Sequence, residues 1–440
     1  MKIVCVGGGP AGLYFAISAK RRDAGHDITV IECDPPGATY GWGVVYWDDL
    51  LDTLYHNDAE SARKLRAASA LWQEQEIRLH SDRLHSEERA YFHGYGYSMG
   101  RATMLDVLGR RAADLGVDVE YRRRVGDLAE FADAELIVAA DGANSQVRQL
   151  HGHFGTTIDA GANPYIWLGT NKVFNSMVFD CEETFAGWVW CHVYPSSSGI
   201  STFIVECQQH TWDALGFGTM SCEDGVRVLE KIFSDVLDGH SLISQSRGEP
   251  ARWLHFTQVR NQHWYHDNVV LLGDAAHTTH FTIGSGTRLA MIDAIALAQS
   301  LDNQEENLAT ALRDYEGRRQ QAMRQTQAAS RSSMAWYEHL DRYTDRDAVA
   351  FAAAMSGRQG PLPPWSYQMH LATQVAPVRK LSRWFDSARR WYLARRRGEP
   401  AGRYGAPGSE PPATGPGSHA QEPEANRTPL DAFASRTPLR

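Results

Sequence analysis

Few features of this 440-residue chain point to an oxidising compartment, a metal or a polymeric partner. Its six cysteines (Cys5, Cys33, Cys181, Cys191, Cys207 and Cys222) form no C-x-x-C pair and no ligand spacing, which argues against a zinc site and a disulfide framework. No metal is therefore expected, and a reducing cytoplasm is the expected setting. No apolar run approaches the ~18 residues of a membrane helix, and Lys2 with the short apolar stretch after it makes no signal peptide. The 44 basic and 53 acidic residues leave a net charge of −9, so neither nucleic acid nor a membrane is announced as a partner. Any polyanion site must be local.

At roughly 150 residues per domain, the length admits two or three domains. Residues 3–6 are wholly apolar and run into glycines, as a strand buried on both faces of a parallel sheet does. Leu13, Ala16 and Ile17 then fall at helical spacing, and residues 28–31 form a second apolar run, which completes a βαβ unit. After Arg101, residues Met104, Leu108, Ala112 and Leu115 share one helical face, closed by Gly116 before a strand over 117–121. Residues 136–140 and 269–272 read as further buried strands, and 287–300 as a helix. Between about 155 and 260 the texture turns aromatic and β-branched (165–168, 188–194, 202–205), as in an inserted, mainly antiparallel sheet. The expected fold is α/β: a Rossmann-like nucleotide-binding domain split over 1–155 and 261–345, and a substrate-binding β-sheet domain over 156–260. A C-terminal helical region over 346–397 follows, then a disordered tail over 398–440 that is too poor in apolar groups to offset chain entropy.

Gly7, Gly9 and Gly12 make a G-x-G-x-x-G directly after the first strand, with Pro10 and Ala11 opening the helix. Gly7 permits the tight turn, Gly9 lets backbone approach a pyrophosphate, and Gly12 lets helix and strand pack closely, while unpaired helix N–H groups face the anion. Glu32, twenty residues after Gly12, can accept hydrogen bonds from ribose hydroxyls and would repel a 2′-phosphate. This motif alone admits FAD or NAD.

Two later segments narrow the choice. Asp141-Gly142-Ala143-Asn144-Ser145, with Arg148, resembles the DG segment of the single-component FAD-dependent aromatic hydroxylases, the group A flavoprotein monooxygenases. Gly273-Asp274-Ala275-Ala276-His277 resembles their GD segment. Trp42-Gly43-Val44, the 165–170 and 201–207 strands and the run from His280 to Thr287 are similar to one subgroup in particular. It contains salicylyl-CoA 5-hydroxylase, the monooxygenase part of 2-aminobenzoyl-CoA monooxygenase/reductase and the violacein-pathway hydroxylase, and the similarity spans residues 1 to about 340.

The resemblance implies a para-hydroxybenzoate hydroxylase-like fold and tightly but non-covalently bound FAD, with NAD(P)H as transient reductant and O2 as co-substrate. The implied reaction is hydroxylation of a hydroxy- or amino-substituted ring by a flavin C4a-hydroperoxide, with an aryl-CoA such as salicylyl-CoA as one candidate substrate. Gly7, Gly9, Pro10, Ala11, Gly12, Glu32, Trp42, Gly43, Val44, Arg101 and Asp141 are the implied cofactor contacts. Gly273, Asp274, Gly284, Ser285, Gly286 and Thr287 complete them. His280 is the first candidate for a polar group at the reacting ring, His192 and Tyr194 the next, and His277 reads as structural. His280-Phe281 stands where many members carry Pro-Pro, and Thr287-Arg288 replaces an Asn-containing step. A small aromatic partner and a monomer or homodimer are expected.

Two rival functions remain at this point. Trp188-x-Trp190 suggests a flavin halogenase, although His192 stands where that segment has Ile. A flavin-binding redox or interaction protein would have no substrate of its own. Trp42, Trp188 and Trp190 read equally as core or as pocket wall, and Glu206 as a solvated carboxylate. Residues 379–397 carry eight Lys or Arg against one Asp, interleaved with Trp384, Phe385 and Trp391. The first reading of this stretch is a solvated face, with contact to an acidic surface or to coenzyme A phosphates as alternatives.

Overall fold

The apolar run after Met1 forms the strand Lys2–Val6, buried from Ile3 onward. In the computed structural model, which describes residues 1–399 except 39–40, 82–85, 93, 198, 247–248 and 303–306, it pairs in parallel with Asp27–Glu32 and Leu136–Ala139. Asp118–Tyr121 extends one edge of this six-stranded sheet; Val269–Leu271 and then the antiparallel Tyr265–His266 extend the other. The opening helix, Pro10–Arg22, starts with a proline where a missing N–H costs nothing, and buries Leu13, Tyr14, Phe15 and Ile17. Helix Gly286–Leu301 packs against it. Two glycines permit this fit: a Cβ on Gly12 would lie 2.0 Å from the Gly7 carbonyl oxygen, and one on Gly273 3.0 Å from the Ala11 Cβ.

The second sheet has eight strands, antiparallel throughout except at one pairing. Thr157–Thr170, Ser201–Cys207, Gly187–Pro195 and Met177–Thr184 are consecutive neighbours, and Leu254–Arg260 pairs with the start of the first of these. The sheet is not confined to 156–260. Gln75–Ser81 joins it in parallel beside Met177–Thr184, and Ser86–Phe92 follows at the edge. The boundary at 155 therefore cuts through an interleaved structure. Ile77 pairs with Phe179 and Leu79 with Cys181, partners about 100 residues onward that no local turn announces. One face of the sheet packs Phe203 and Val205 into a cluster with Leu229 of helix Cys222–Ile232, and the other end packs Ile77, Leu79 and Trp190 against Ala348–Ser356. A small antiparallel sheet of Gly43–Tyr46, Gly96–Gly100 and Ala70–Trp72 bridges the two.

The long helix Leu308–Glu338 is followed by Ala348–Ser356 and, beyond the proline break, by Ser366–Thr373 and Ala376–Arg396. The solvated-face reading of 379–397 holds for Lys380, Arg383, Arg389, Arg395 and Arg396, which are exposed, and fails for the other three cations. Arg379, Arg390 and Arg397 turn inward, to Glu74 at 3.5 Å, to Gln73 at 3.3 Å, and to Asp48 and Asp52 at 2.9 and 2.6 Å. Arg397 has its guanidinium engaged by these two carboxylates inside the protein, which argues against a role on coenzyme A phosphates. The tail expected to be disordered lies, from residue 400 on, outside the described residues. All six cysteines are free thiols, and among the described residues no helix is long and apolar enough to cross a membrane.

Candidate functional site

The carboxyl ends of the nucleotide-sheet strands open into a cavity of about 1320 Å³ that continues beneath the large sheet. At one end, Gly7 adopts φ +112°, and a Cβ there would lie 2.3 Å from the Ala140 carbonyl oxygen. Gly8 donates its N–H to Glu32 Oε2 at 2.7 Å, while Glu32 Oε1 accepts the Asp34 N–H at 2.8 Å. The opening helix has Gly9 at its cap with no side chain satisfying its first N–H groups. Helix Gly286–Leu301, capped by Ser285, is likewise without a side-chain cap, and Ser285, Gly286 and Thr287 line the same cavity. Two uncapped helix N-termini thus favour negative charge in one space.

Asp141 accepts the N–H groups of Gln146 and Val147 on Oδ2, at 2.8 and 3.2 Å, while its buried Oδ1 has no protein partner. Burial raises its carboxyl above the usual range. Arg148 is buried and clamps the two later motifs together, donating to the carbonyls of Ala275 at 2.9 Å and Ala143 at 2.5 Å. Asp274 and Arg101 also line the cavity. Burial lowers the guanidinium's pKa and raises the carboxyl's, and each charge partly offsets the other's shift. Behind this turn His277 Nε2 lies 2.8 Å from Asp293 Oδ2, and Arg319 donates to Asp293 Oδ1 at 2.6 Å. Burial acts to raise the Asp293 pKa, but His277 and Arg319 outweigh it and hold the carboxyl below its ordinary range. The structural reading of His277 fits this position.

The far end of the cavity is aromatic, walled by Tyr165, Trp167, Phe179, Phe256 and Phe281 with Met355 and Arg358. His192 projects into it from Gly187–Pro195, its ring 5.1 Å from Phe179 and 6.1 Å from Phe281. His192 Nε2 is buried with no partner. Burial, assisted by the Arg358 charge, pulls the imidazole pKa down to about 3. Tyr194 also lines the cavity, but its hydroxyl donates to the Gly43 carbonyl at 3.0 Å and so joins two sheets.

Several sequence expectations need correction. His280 is not a wall residue: its Nδ1 lies 2.8 Å from Thr282 Oγ1, and its ring stacks on Phe281 and meets Phe256 on edge. The short helical turn Phe281–Ile283 aims Phe281 inward and His280 away. Trp42 is also off the wall, its ring packed over Gly169, and only its carbonyl serves, accepting the Arg101 N–H at 3.0 Å. Gly12 and Gly273 act through packing, whereas Gly7, Gly9, Pro10, Ala11, Glu32, Gly43, Val44 and Gly284 do line the cavity. Glu206 is 1% exposed, not solvated, and accepts from Asn163 at 2.8 Å and Trp190 at 3.3 Å. Burial pushes its carboxyl up to about 8. Neither Trp188 nor Trp190 lines the cavity, so the halogenase motif has no place in it. Phe179, Phe256 and Arg358 carry no sequence signal, because they sit in no motif and converge only through tertiary packing, whereas Gly8 lies inside the glycine motif as its variable position.

The pocket fits a flavin dinucleotide on this chain's own features: glycine backbone that a Cβ would obstruct, an unpartnered buried Asp141 oxygen, and two uncapped helix ends. A family model described as an FAD binding domain matches residues 96–330. The salicyloyl-CoA 5-hydroxylase of Streptomyces sp is 35% identical over 391 residues, covering 87% of this chain and 71% of that protein. The 3-hydroxy-4-methyl-anthranilyl-(aryl-carrier protein) 5-monooxygenase of Streptosporangium sibiricum is 37% identical over 349 residues, covering 77% and 90%. Among solved structures, tetrameric 2-methyl-3-hydroxypyridine-5-carboxylic acid oxygenase shares the fold, with a TM-score of 0.60 at 20% identity over 88% of this chain and 97% of the other.

Proposed function

This chain belongs to the FAD-binding-domain family of flavin-dependent aromatic hydroxylases, and from that membership we propose that its substrate is an aromatic acid presented as a thioester. It is a monooxygenase that uses FAD, NAD(P)H and O2 to hydroxylate an aromatic ring. FAD, when bound, would supply the redox chemistry that couples NAD(P)H oxidation to ring hydroxylation, with one oxygen atom of O2 entering the product and the other leaving as water.

In this reading the Gly7–Gly9 backbone and the opening helix hold the pyrophosphate, Glu32 the ribose, and Asp274 with Arg101 the segment between phosphate and ring. The uncapped turn from Gly284 to Thr287 faces the flavin edge and stabilises negative charge there by roughly 1 kcal/mol or more. Phe179, Phe256 and Phe281 exclude water and hold the substrate ring. Neutral His192 offers its free Nε2 to the ring's hydroxyl or amino group, orienting it and drawing on its proton, so that the ring becomes electron-rich. One observation carries the proposal: a single continuous cavity joins the glycine turn to an aromatic chamber that contains one unpartnered imidazole nitrogen. Support for a thioester comes from the two relatives above, whose names specify an acyl-CoA and an acyl-carrier substrate. Free thiols and the need for NAD(P)H fit a cytoplasmic setting.

The test is NAD(P)H oxidation by the flavin-loaded enzyme with salicylyl-CoA, 2-aminobenzoyl-CoA, tryptophan and the corresponding free acids, with product masses recorded under 18O2. Expected is stimulation by an aryl thioester and incorporation of one labelled oxygen. Turnover of free acids alone would overturn the thioester assignment.

A further inference from the structure

A helix on a protein surface ordinarily turns its apolar stripe inward and its charges outward. Helix Ala376–Arg396 instead leaves its apolar stripe outside. Asp386, Arg390 and Ala394, spaced by four, are its buried residues, and Arg379 and Arg390 fasten it to Glu74 and Gln73. On the opposite side Leu381, Phe385 and Tyr392 share one face and are 55%, 58% and 61% exposed. Trp384 widens that stripe, and the preceding helix, Ser366–Thr373, adds exposed Met369. Exposed Lys380, Arg389, Arg395 and Arg396 border it. An apolar face of this extent, rimmed by one sign of charge, marks an interaction site.

Its position says what it serves. Gln374, between the two helices, bonds both backbone groups of Tyr91 at 2.9 Å, the His370 ring lies 6.0 Å from Phe92, and the Arg379 guanidinium lies 3.9 Å over Tyr91. Phe92 and Gln75 line the cavity. The helix pair that carries the inverted face therefore rests on the cavity wall, because Phe92 touches both.

We propose that this helix pair docks an acidic carrier protein bearing the aryl group as a thioester, an inference that rests on the thioester reading above. The exposed cations complement an acidic partner, and the apolar stripe supplies a desolvated centre for the contact. Free coenzyme A would engage the cations and leave the stripe uncovered. A second copy of the same face would set like charges against each other. A lipid surface would satisfy stripe and cations but would not deliver a thioester to Gln75 and Phe92.

The experiment uses the full-length flavin-loaded enzyme and one acyl group, salicyl or 2-aminobenzoyl, carried either on a phosphopantetheinylated carrier protein or on coenzyme A. Two surface variants are compared: Leu381→Ser with Phe385→Ser and Tyr392→Ser, and Arg389→Glu with Arg396→Glu. Each is expected to lower kcat/KM for the carrier-bound substrate about tenfold or more, with kcat/KM for the acyl-CoA and the flavin content unchanged. Equal effects on both substrates, or none on the carrier-bound one, would overturn docking while acyl-CoA turnover still upheld the thioester reading. If only free acids are hydroxylated, it is the thioester reading itself that falls. Loss of binding to phosphatidylglycerol vesicles, or of dimers in sedimentation velocity, with carrier turnover intact, would assign the face to a membrane or to a second copy and overturn the proposal.

Discussion

His192 shows how one side chain can be tuned mainly by burial. Its imidazole stays neutral because burial, then the Arg358 charge, depresses its pKa to about 3. It therefore orients a substituent by hydrogen bonding and stores no proton near neutrality. His192→Ala is expected to lower kcat/KM for ring hydroxylation about a hundredfold and to raise the share of NAD(P)H consumed without product. Oxygen uptake set against product yield checks this, and full coupling in the variant would remove the role. Glu206 is protonated in the fold up to about pH 8, whereas the unfolded chain ionises it near 4.5. The folded state thus binds more protons over that window, and this residue's contribution to stability falls as pH rises through it. Glu206→Gln should accordingly gain stability relative to the parent between pH 5 and pH 8 in urea titrations; a pH-independent difference would contradict it. Sequence reasoning placed His192 and Tyr194 on the cavity wall but ranked His280 above them, because the direction of a side chain beside a one-turn helix is set by Ser330 and Thr282, distant or hidden partners.

At the scale of elements, the motif that resembles the GD segment depends on two helices behind it. Asp293 on Gly286–Leu301 takes charge and hydrogen bonds from His277 in the turn and from Arg319 on the long helix. All three are buried, so removing the central charge leaves the Arg319 guanidinium without compensation. Asp293→Asn is expected to cost about 3–5 kcal/mol and to weaken flavin retention, read by denaturant unfolding and by absorbance after gel filtration. A loss below 1 kcal/mol would show the triad to be incidental. Because the Asp293 carboxyl is held below its usual pKa, its contribution is present at neutral pH and disappears as acid protonates it in the folded state. The elements of the nucleotide sheet were readable because continuous apolar runs, glycine turns and helical spacing are local signals. Gln75–Ser81 was not, since its alternating Glu76, Ile77, Arg78 and Leu79 acquire meaning only beside Met177–Thr184. The C-terminal helix was legible in part for a related reason: five of its cations are exposed as a charge run suggests, but Arg379 and Arg397 turn inward to Glu74, Asp48 and Asp52, which arrive from another part of the chain.

For the whole molecule, cofactor and fold are coupled by mass action. FAD contacts offered by the 7–12, 141 and 273–287 segments exist together only in the native state, so flavin at 100 times its Kd should stabilise the protein by about 2.7 kcal/mol. Thermal melting of flavin-stripped protein across a flavin titration checks this, and a midpoint that ignores flavin concentration would contradict a preformed cradle. The same interleaving governs biosynthesis. Leu136–Ala139 sits between Lys2–Val6 and Val269–Leu271, so a nascent chain must keep one apolar strand edge bare through the translation of some 130 further residues. Ribosome release before Val269 would leave that edge open to intermolecular pairing, so truncated products that end there are expected to aggregate.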